Sequence, residues 1–301
     1  MEQWIVVALV CPLFWALSNI VDKIGMDHAI ETPQQFMFLL SQFYTVVFVG
    51  WLMVTGIGGS LSLLAVLVGA LLFVLYYLYA FVLNDEDITS VIAVHQIEPF
   101  FVMLLALVLY SRLPTGRDVL GFILIIVGIH WFTSWRTDAA STRKPLISLR
   151  STGLLVASAM IGAIATIISD VALTDMRVMD IAGQSALGYG GSGLIALSIK
   201  KYRARSFHAG RIGLPKKAGL VFLAGVFDLL GYVSFYKALN ISDKPAMVSA
   251  VSSIHPIYVF ILSAALSQAF PNLMREDNGG GRFSRKAIGS LIVLLGVMAV
   301  S

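Results

Sequence analysis

Apolar side chains run along this chain in long blocks, each about the length of a bilayer crossing and each closed by a short polar or glycine-containing break. The blocks lie near residues 4–26, 34–55, 61–84, 88–110, 117–135, 152–174, 180–199, 216–239, 246–268 and 286–300. A helix crosses the hydrocarbon core with roughly 20 apolar residues, and in lipid a segment must satisfy its own backbone polar groups. The blocks therefore predict helices, since barrel strands would be about half as long and would alternate apolar with polar. The reading is an all-α integral membrane protein with ten transmembrane helices. The first block lacks a basic flank and a small-residue cleavage motif, so it reads as a retained helix and not a signal peptide.

The pattern also repeats. Shifting the sequence on itself by 157 residues pairs Tyr79 with Tyr236, Val91 with Val248, Ile97 with Ile254, Pro99 with Pro256 and Leu109 with Leu266. Beyond that point the shift becomes 168, pairing Gly121 with Gly289 and Gly128 with Gly296, and near the start of each half a shift of 148 pairs Asp22 with Asp170. Residues 1–135 form a first five-helix repeat, 136–151 a basic linker and 152–301 a second repeat. Five is odd, so the second repeat crosses in the opposite sense to the first. Two inverted five-helix repeats are the architecture of many secondary transporters, whose site lies near the midplane where the halves meet.

Composition agrees: 58% of residues are hydrophobic, only 13% are charged and the mean hydropathy is +0.86, against roughly 45–50% and about 25% in soluble domains. Charge then sets orientation. All but five of the 21 Lys and Arg (Arg112, Arg117, Arg177, Lys237 and Lys244) fall on one side of a ten-span chain, mostly in loops 136–151, 200–217 and 269–286. The positive-inside rule makes those loops cytoplasmic and both termini external, in a multi-pass protein of the cell membrane. The basic stretch 200–217 reads as a topology signal touching anionic lipid headgroups and not as a nucleic-acid site. Cys11 is the single cysteine, which excludes a disulfide framework and a cysteine metal cluster.

Ionisable residues at mid-span are costly and face a cavity or a partner. Four fit: His95 and Glu98 on the fourth helix, Asp228 on the eighth and His255 on the ninth. His95 and Glu98 are three apart and share a face, while Glu98 and His255 occupy equivalent repeat positions, each just before a matched proline. Pro99 and Pro256 offer no N–H to the carbonyls of His95 and Ser252, so each helix breaks at the same depth. These groups are candidates for solute or proton handling; the alternative is a permanent structural pairing of Glu98 with one of the histidines. Tyr232 follows Asp228 by four residues, putting an aromatic face beside an anion that suits an organic cation. Trp15, Tyr76 and Tyr79 are further aromatic candidates. Asp22 lies near a helix end beside Lys23 and reads as interfacial. His130, alone on an apolar helix, reads as a packing residue. Asp85, Asp87 and Ser242-Asp243 read as caps ahead of the fourth and ninth helices.

Two motif matches fail on context. Residues 188–193 fit G-x-G-x-x-G, but no strand precedes them, so they read as small residues permitting close helix contact, as do Ser158, Gly162 and Thr166. His95-x-x-Glu98 falls short of a zinc motif. No metal, cofactor or enzymatic nucleophile is expected.

The run Phe14-Trp15-Ala16-Leu17-Ser18-Asn19-Ile20-Val21-Asp22-Lys23, a tyrosine-bearing helix end, a short acidic turn and a Pro-centred helix resemble the EamA-type branch of the drug/metabolite transporter superfamily. Members typically carry glutamate after helices four and nine, where Ser111 and Gln268 stand here. The resemblance implies a secondary transporter of a small organic solute, with Asn19 and Lys23 as cavity-facing candidates. The implied partners are that solute and membrane lipids, with no nucleic acid and with room for a homodimer. Proton coupling would suit histidine. The competing class is a membrane scaffold or sensor that keeps the fold without transporting.

Overall fold

A computed structural model describes residues 3–56, 60–86, 88–110, 115–133, 148–207, 213–242, 244–270, 288–289, 291–293, 295–296 and 299. Asp87, Ser111 and Asp243 lie outside the described residues, as does the side chain of His130. Among the described residues the regular elements are all helices: α1 Gln3–His28, α2 Pro33–Thr55, α3 Leu63–Leu83, α4 Ile88–His95, α5 Glu98–Tyr110, α6 Gly116–Thr133, α7 Leu149–Leu173, α8 Val178–Ala196, α9 Lys200–Ser206, α10 Leu214–Ile241, α11 Pro245–Ser252 and α12 His255–Ala269. Among the described residues, six stretches are long and apolar enough to cross a membrane: α1, α2, α3, α7, α10 and α11–α12 taken together. With the bilayer as solvent, apolar side chains such as Val54, Leu63 and Val108 can stay outside the core, at 87%, 81% and 77% exposure.

Local chemistry sets several ends. Thr32 Oγ1 accepts the Gln35 N–H at 3.1 Å with Pro33 in the first turn of α2, the preferred arrangement at a helix start. Gly56, at φ +76°, ends the same helix, in a conformation that costs a glycine little. Ser148 Oγ accepts the Ser151 N–H at 3.0 Å, so α7 begins at Leu149, three residues ahead of the sequence boundary. Ser242 Oγ accepts the Lys244 N–H at 3.1 Å just before Pro245. The basic stretch after α8, read from sequence as a loop, contains the short helix α9.

The two proline helices are divided, not merely bent. α4 ends at His95 and α5 starts at Glu98, while α11 ends at Ser252 and α12 starts at His255. Each of these four boundaries is displaced by 157 from its counterpart. In each break the chain tightens: Ile97 N–H bonds the Val94 carbonyl and Ile254 N–H the Val251 carbonyl, both at 3.3 Å. A third proline, Pro12, sits inside α1 and deprives the Ala8 carbonyl of its helical donor. The Cys11 thiol donates to that carbonyl at 3.2 Å, which gives the buried cysteine a structural role.

Packing is paired. α1 lies on α10 and α3 on α7; α5 lies on α7 and α1 on α12; α2 meets α8. Exchanging the two halves converts each of the first two couples into itself, and α2 with α8 is its own counterpart. The tightest approach is α3 against α8, where a Cβ on Gly69 would strike the Ser185 carbonyl oxygen and one on Gly188 the Val66 carbonyl oxygen. Gly190 and Gly193 likewise face Thr45 and Ser41. The glycine run of residues 188–193 is thus a close helix contact, as the sequence suggested.

Candidate functional site

Both helix breaks open onto one cavity of about 100 Å³, walled by α1, α3, α4, α5, α7, α10, α11 and α12. That is several times the roughly 10–15 Å³ one water requires. Of the residues singled out from sequence, His95, Glu98, Pro99, His255, Tyr232, Trp15, Asn19, Tyr76 and Tyr79 line it. Asp228, Lys23 and Pro256 do not.

Glu98 is the carboxylate among the described residues of this cavity, and no described lysine or arginine lines it. Its Oε1 accepts from Thr166 Oγ1 on α7 at 3.3 Å. Its Oε2 lies 3.9 Å from His95 Nδ1 across the first break. Space for the carboxyl comes from Gly162, where a Cβ would lie 2.7 Å from Oε2. The stripe Ser158, Gly162, Thr166, three residues at four-residue spacing read from sequence as a packing surface, therefore cradles the acid.

Hydrogen bonding selects one tautomer of His95. Ser158 Oγ donates to the Leu75 carbonyl at 3.1 Å, so its lone pair meets His95 Nε2, also at 3.1 Å. Nε2 must carry the hydrogen and donate, because a serine hydroxyl has one proton. Nδ1 then turns a lone pair toward Glu98. A carboxyl and an unprotonated ring nitrogen facing each other can hold one proton between them once the 3.9 Å gap closes to hydrogen-bond distance.

His255, buried at the second break, is bracketed by two amides. Asn19 Nδ2 lies 3.1 Å from its Nε2, and Gln96 Nε2 lies 3.5 Å from its Nδ1. A neutral imidazole donates at one nitrogen and accepts at the other, so one amide offers N–H and the other its carbonyl. The pairing follows the repeat: α1 holds the residue before Pro256 through Asn19, and α7 holds the residue before Pro99 through Thr166.

Asp228 is 1% exposed and serves the scaffold. Tyr44 Oη donates to one carboxylate oxygen at 2.5 Å and Tyr76 Oη donates to the other. The acid thus ties α10 to α2 and α3, and the Tyr76 ring is its face toward the cavity. Tyr232 lies within electrostatic reach of Asp228, as its spacing suggested, but does not bond it; its ring packs edge-on against Trp15, with centroids 5.3 Å apart. Trp15 also meets Phe235 at 5.5 Å, and Tyr79 meets His95 at 6.3 Å. The site is one carboxyl, two histidines and two amides inside an aromatic wall. Lys23 turns away, 2.9 Å from Asp27 and 3.4 Å from the Leu83 carbonyl. Gln96 escaped the sequence reading, and Ser158 and Thr166 were read only as packing residues, because neutral polar residues in apolar helices signal nothing until their partners are known.

Comparison with known proteins completes the description. The model of the EamA-like transporter family matches residues 2–134 and 150–275. No curated protein matches the chain. A solved structure described as "Crystal structure of protein" superposes with a TM-score of 0.70 at 12% identity, covering 99% of this chain and 96% of that one. At that identity the likeness concerns the fold.

Proposed function

From the premise that the chain belongs to the EamA-like transporter family, and so is a multi-pass membrane protein of the transporter type, we propose that it moves a small organic cation through the cavity between its divided helices. Ten helices in two inverted five-helix repeats rock about that cavity, exposing it to either side in turn, with the basic loops cytoplasmic and the termini outside. The observation that carries the reading is the lining: Glu98 beside His95, aromatic walls, and no lysine or arginine among the described residues. An anionic solute would meet a carboxyl with no cation to offset it, whereas a cation gains charge pairing and aromatic faces. The divided helices support the inverted repeat, since their ends differ by the same 157 residues found in the sequence.

Glu98 binds the solute's charge or a proton, one displacing the other, and His95 Nδ1 shares that proton. His255, with its two amides, orients the opposite end of the solute. The test is uptake of quaternary amines and polyamines by proteoliposomes, measured with and without a pH gradient. Glu98→Gln abolishes solute-for-proton exchange and His255→Ala weakens it. Wild-type rates in both variants would overturn the site assignment, and no movement of any solute by the wild type would favour a non-transporting scaffold.

A further inference from the structure

Asp22 is a buried acid that nothing above uses. It lies on α1 one turn beyond Asn19, is 2% exposed, and neither carboxylate oxygen has a protein hydrogen-bond partner. The sequence placed it at a helix end beside Lys23, where reaching water is cheap; the packed structure closes over it. Its own helix offers it no donor. Ser18 Oγ is spent on the Ala224 carbonyl at 3.0 Å, Asn19 on His255, and Lys23 on Asp27 and the Leu83 carbonyl.

The elements packed on α1 offer none either. On α10, Asp228 is held by Tyr44 and Tyr76, and Tyr232 lies against Trp15. On α12, His255 is held by its amides; on α11, Ser252 is held by Cys11 at 3.1 Å; on α4, His95 is held by Ser158. Asp228 on α10, Tyr79 on α3 and Tyr189 on α8 lie within electrostatic reach of Asp22, and the hydroxyls of both tyrosines are also buried without a partner. Tyr79 lines the cavity and touches His95. The repeat sharpens the contrast: Asp170, the counterpart of Asp22, receives the Tyr110 hydroxyl at 2.6 Å.

A carboxylate taken from water with no compensating donor costs many kcal/mol and takes up a proton instead. An acid held neutral behind Tyr79, on the cytoplasmic side of the cavity in the orientation above, is placed to carry a proton and not a solute. We propose that Asp22 is the coupling carboxylate of the cycle: it holds a proton while the cytoplasmic end is closed and releases it when that end opens. On opening, the Asp22 O–H bond breaks, the proton passes to entering water, and the carboxylate stays behind hydrated; reprotonation from water reverses the step before closure. This rests on the transport reading: Glu98 trades its proton for the solute inside the cavity, and Asp22 carries a second proton that couples accumulation to the pH gradient.

Three measurements test it on the full-length protein. Dicyclohexylcarbodiimide, which attacks protonated carboxyls in apolar surroundings, modifies Asp22 in the wild type, as read by peptide mass spectrometry, and does so less as pH rises. Asp22→Asn removes a protonated-acid carbonyl band from the infrared spectrum. In proteoliposomes Asp22→Asn retains counterflow of a quaternary amine but loses at least tenfold of its accumulation under a pH gradient. An unmodified Asp22, an unchanged acid band, or wild-type accumulation by Asp22→Asn overturns the proposal. Should the variant not fold, carbodiimide modification of the wild type decides. If no amine is transported at all, the transport reading fails, while the modification and the infrared band still report whether Asp22 carries a proton.

Discussion

Gly162→Ala perturbs the candidate site by a single methyl group. A Cβ there would lie 2.7 Å from Glu98 Oε2, 2.9 Å from Glu98 Cδ and 2.9 Å from Leu75 Cδ1. Restoring an ordinary spacing of about 3.5 Å requires the carboxyl to retreat by roughly 0.7 Å. The atoms met are side-chain ends, so α7 keeps its course and Glu98 moves. The Thr166 bond, already 3.3 Å long, does not survive that displacement. A hydrogen bond to a charged group contributes about 1.5–3 kcal/mol, and about 1.4 kcal/mol is a factor of ten. The acid that meets the solute is then displaced and no longer held, so its charge pairing weakens; about 1.4 kcal/mol lost there lowers solute affinity tenfold. Fold stability changes less, because the crowding costs about 1–3 kcal/mol while alanine gains roughly 0.5–1 kcal/mol over glycine inside a helix. The assay pairs the thermal melt of purified protein with the KM for amine uptake in proteoliposomes. An unchanged KM with an unchanged melt would refute the argument that Gly162 makes room for the acid.

Other substitutions separate scaffold from site. At Gly188 the atom met is the Val66 carbonyl oxygen, which cannot rotate away, so Gly188→Ala forces α3 and α8 apart; it should lower the melting temperature far more than Gly162→Ala, and an equal or smaller loss would contradict the close contact. Tyr44→Phe removes one of two donors to buried Asp228 and should cost about 1.5–3 kcal/mol, recovered in part by combining it with Asp228→Asn; no recovery in that double-mutant cycle would detach the pair. Lys217, 2% exposed, donates to Glu31 and, at 3.2 Å, to Gln35, joining the starts of α10 and α2. Glu31→Gln alone strands a buried ammonium and should destabilise by about 3 kcal/mol or less, given the partial exposure of Glu31, whereas adding Lys217→Met should restore the melt; a double variant as unstable as the single one would count against the pairing.

Helix positions were legible because the signal was local and redundant: blocks of apolar residues long enough to cross a bilayer, and the Pro99 and Pro256 pair fixed by a constant shift. That each proline divides its helix followed from the missing N–H. Partnership was not legible. Spacing along α10 put Tyr232 over Asp228, but Tyr44 and Tyr76, which bind that acid, come from α2 and α3. Asp22 sits six residues before the end of α1, and sequence alone gave it water, since burial there depends on neighbours far along the chain. Thr166 and Gly162 read as packing because their role appears only once Glu98 lies against them.

The central claim is that Glu98, in the cavity between the divided helices, carries the charge recognition of a transporter. The most direct test is uptake of quaternary amines and polyamines by proteoliposomes bearing wild type or Glu98→Gln, at matched protein density and with melting curves showing both folded. The account predicts that the wild type moves at least one of these cations and that Glu98→Gln loses at least tenfold of that flux. Equal flux in the two proteins, or transport confined to anionic solutes, would contradict it.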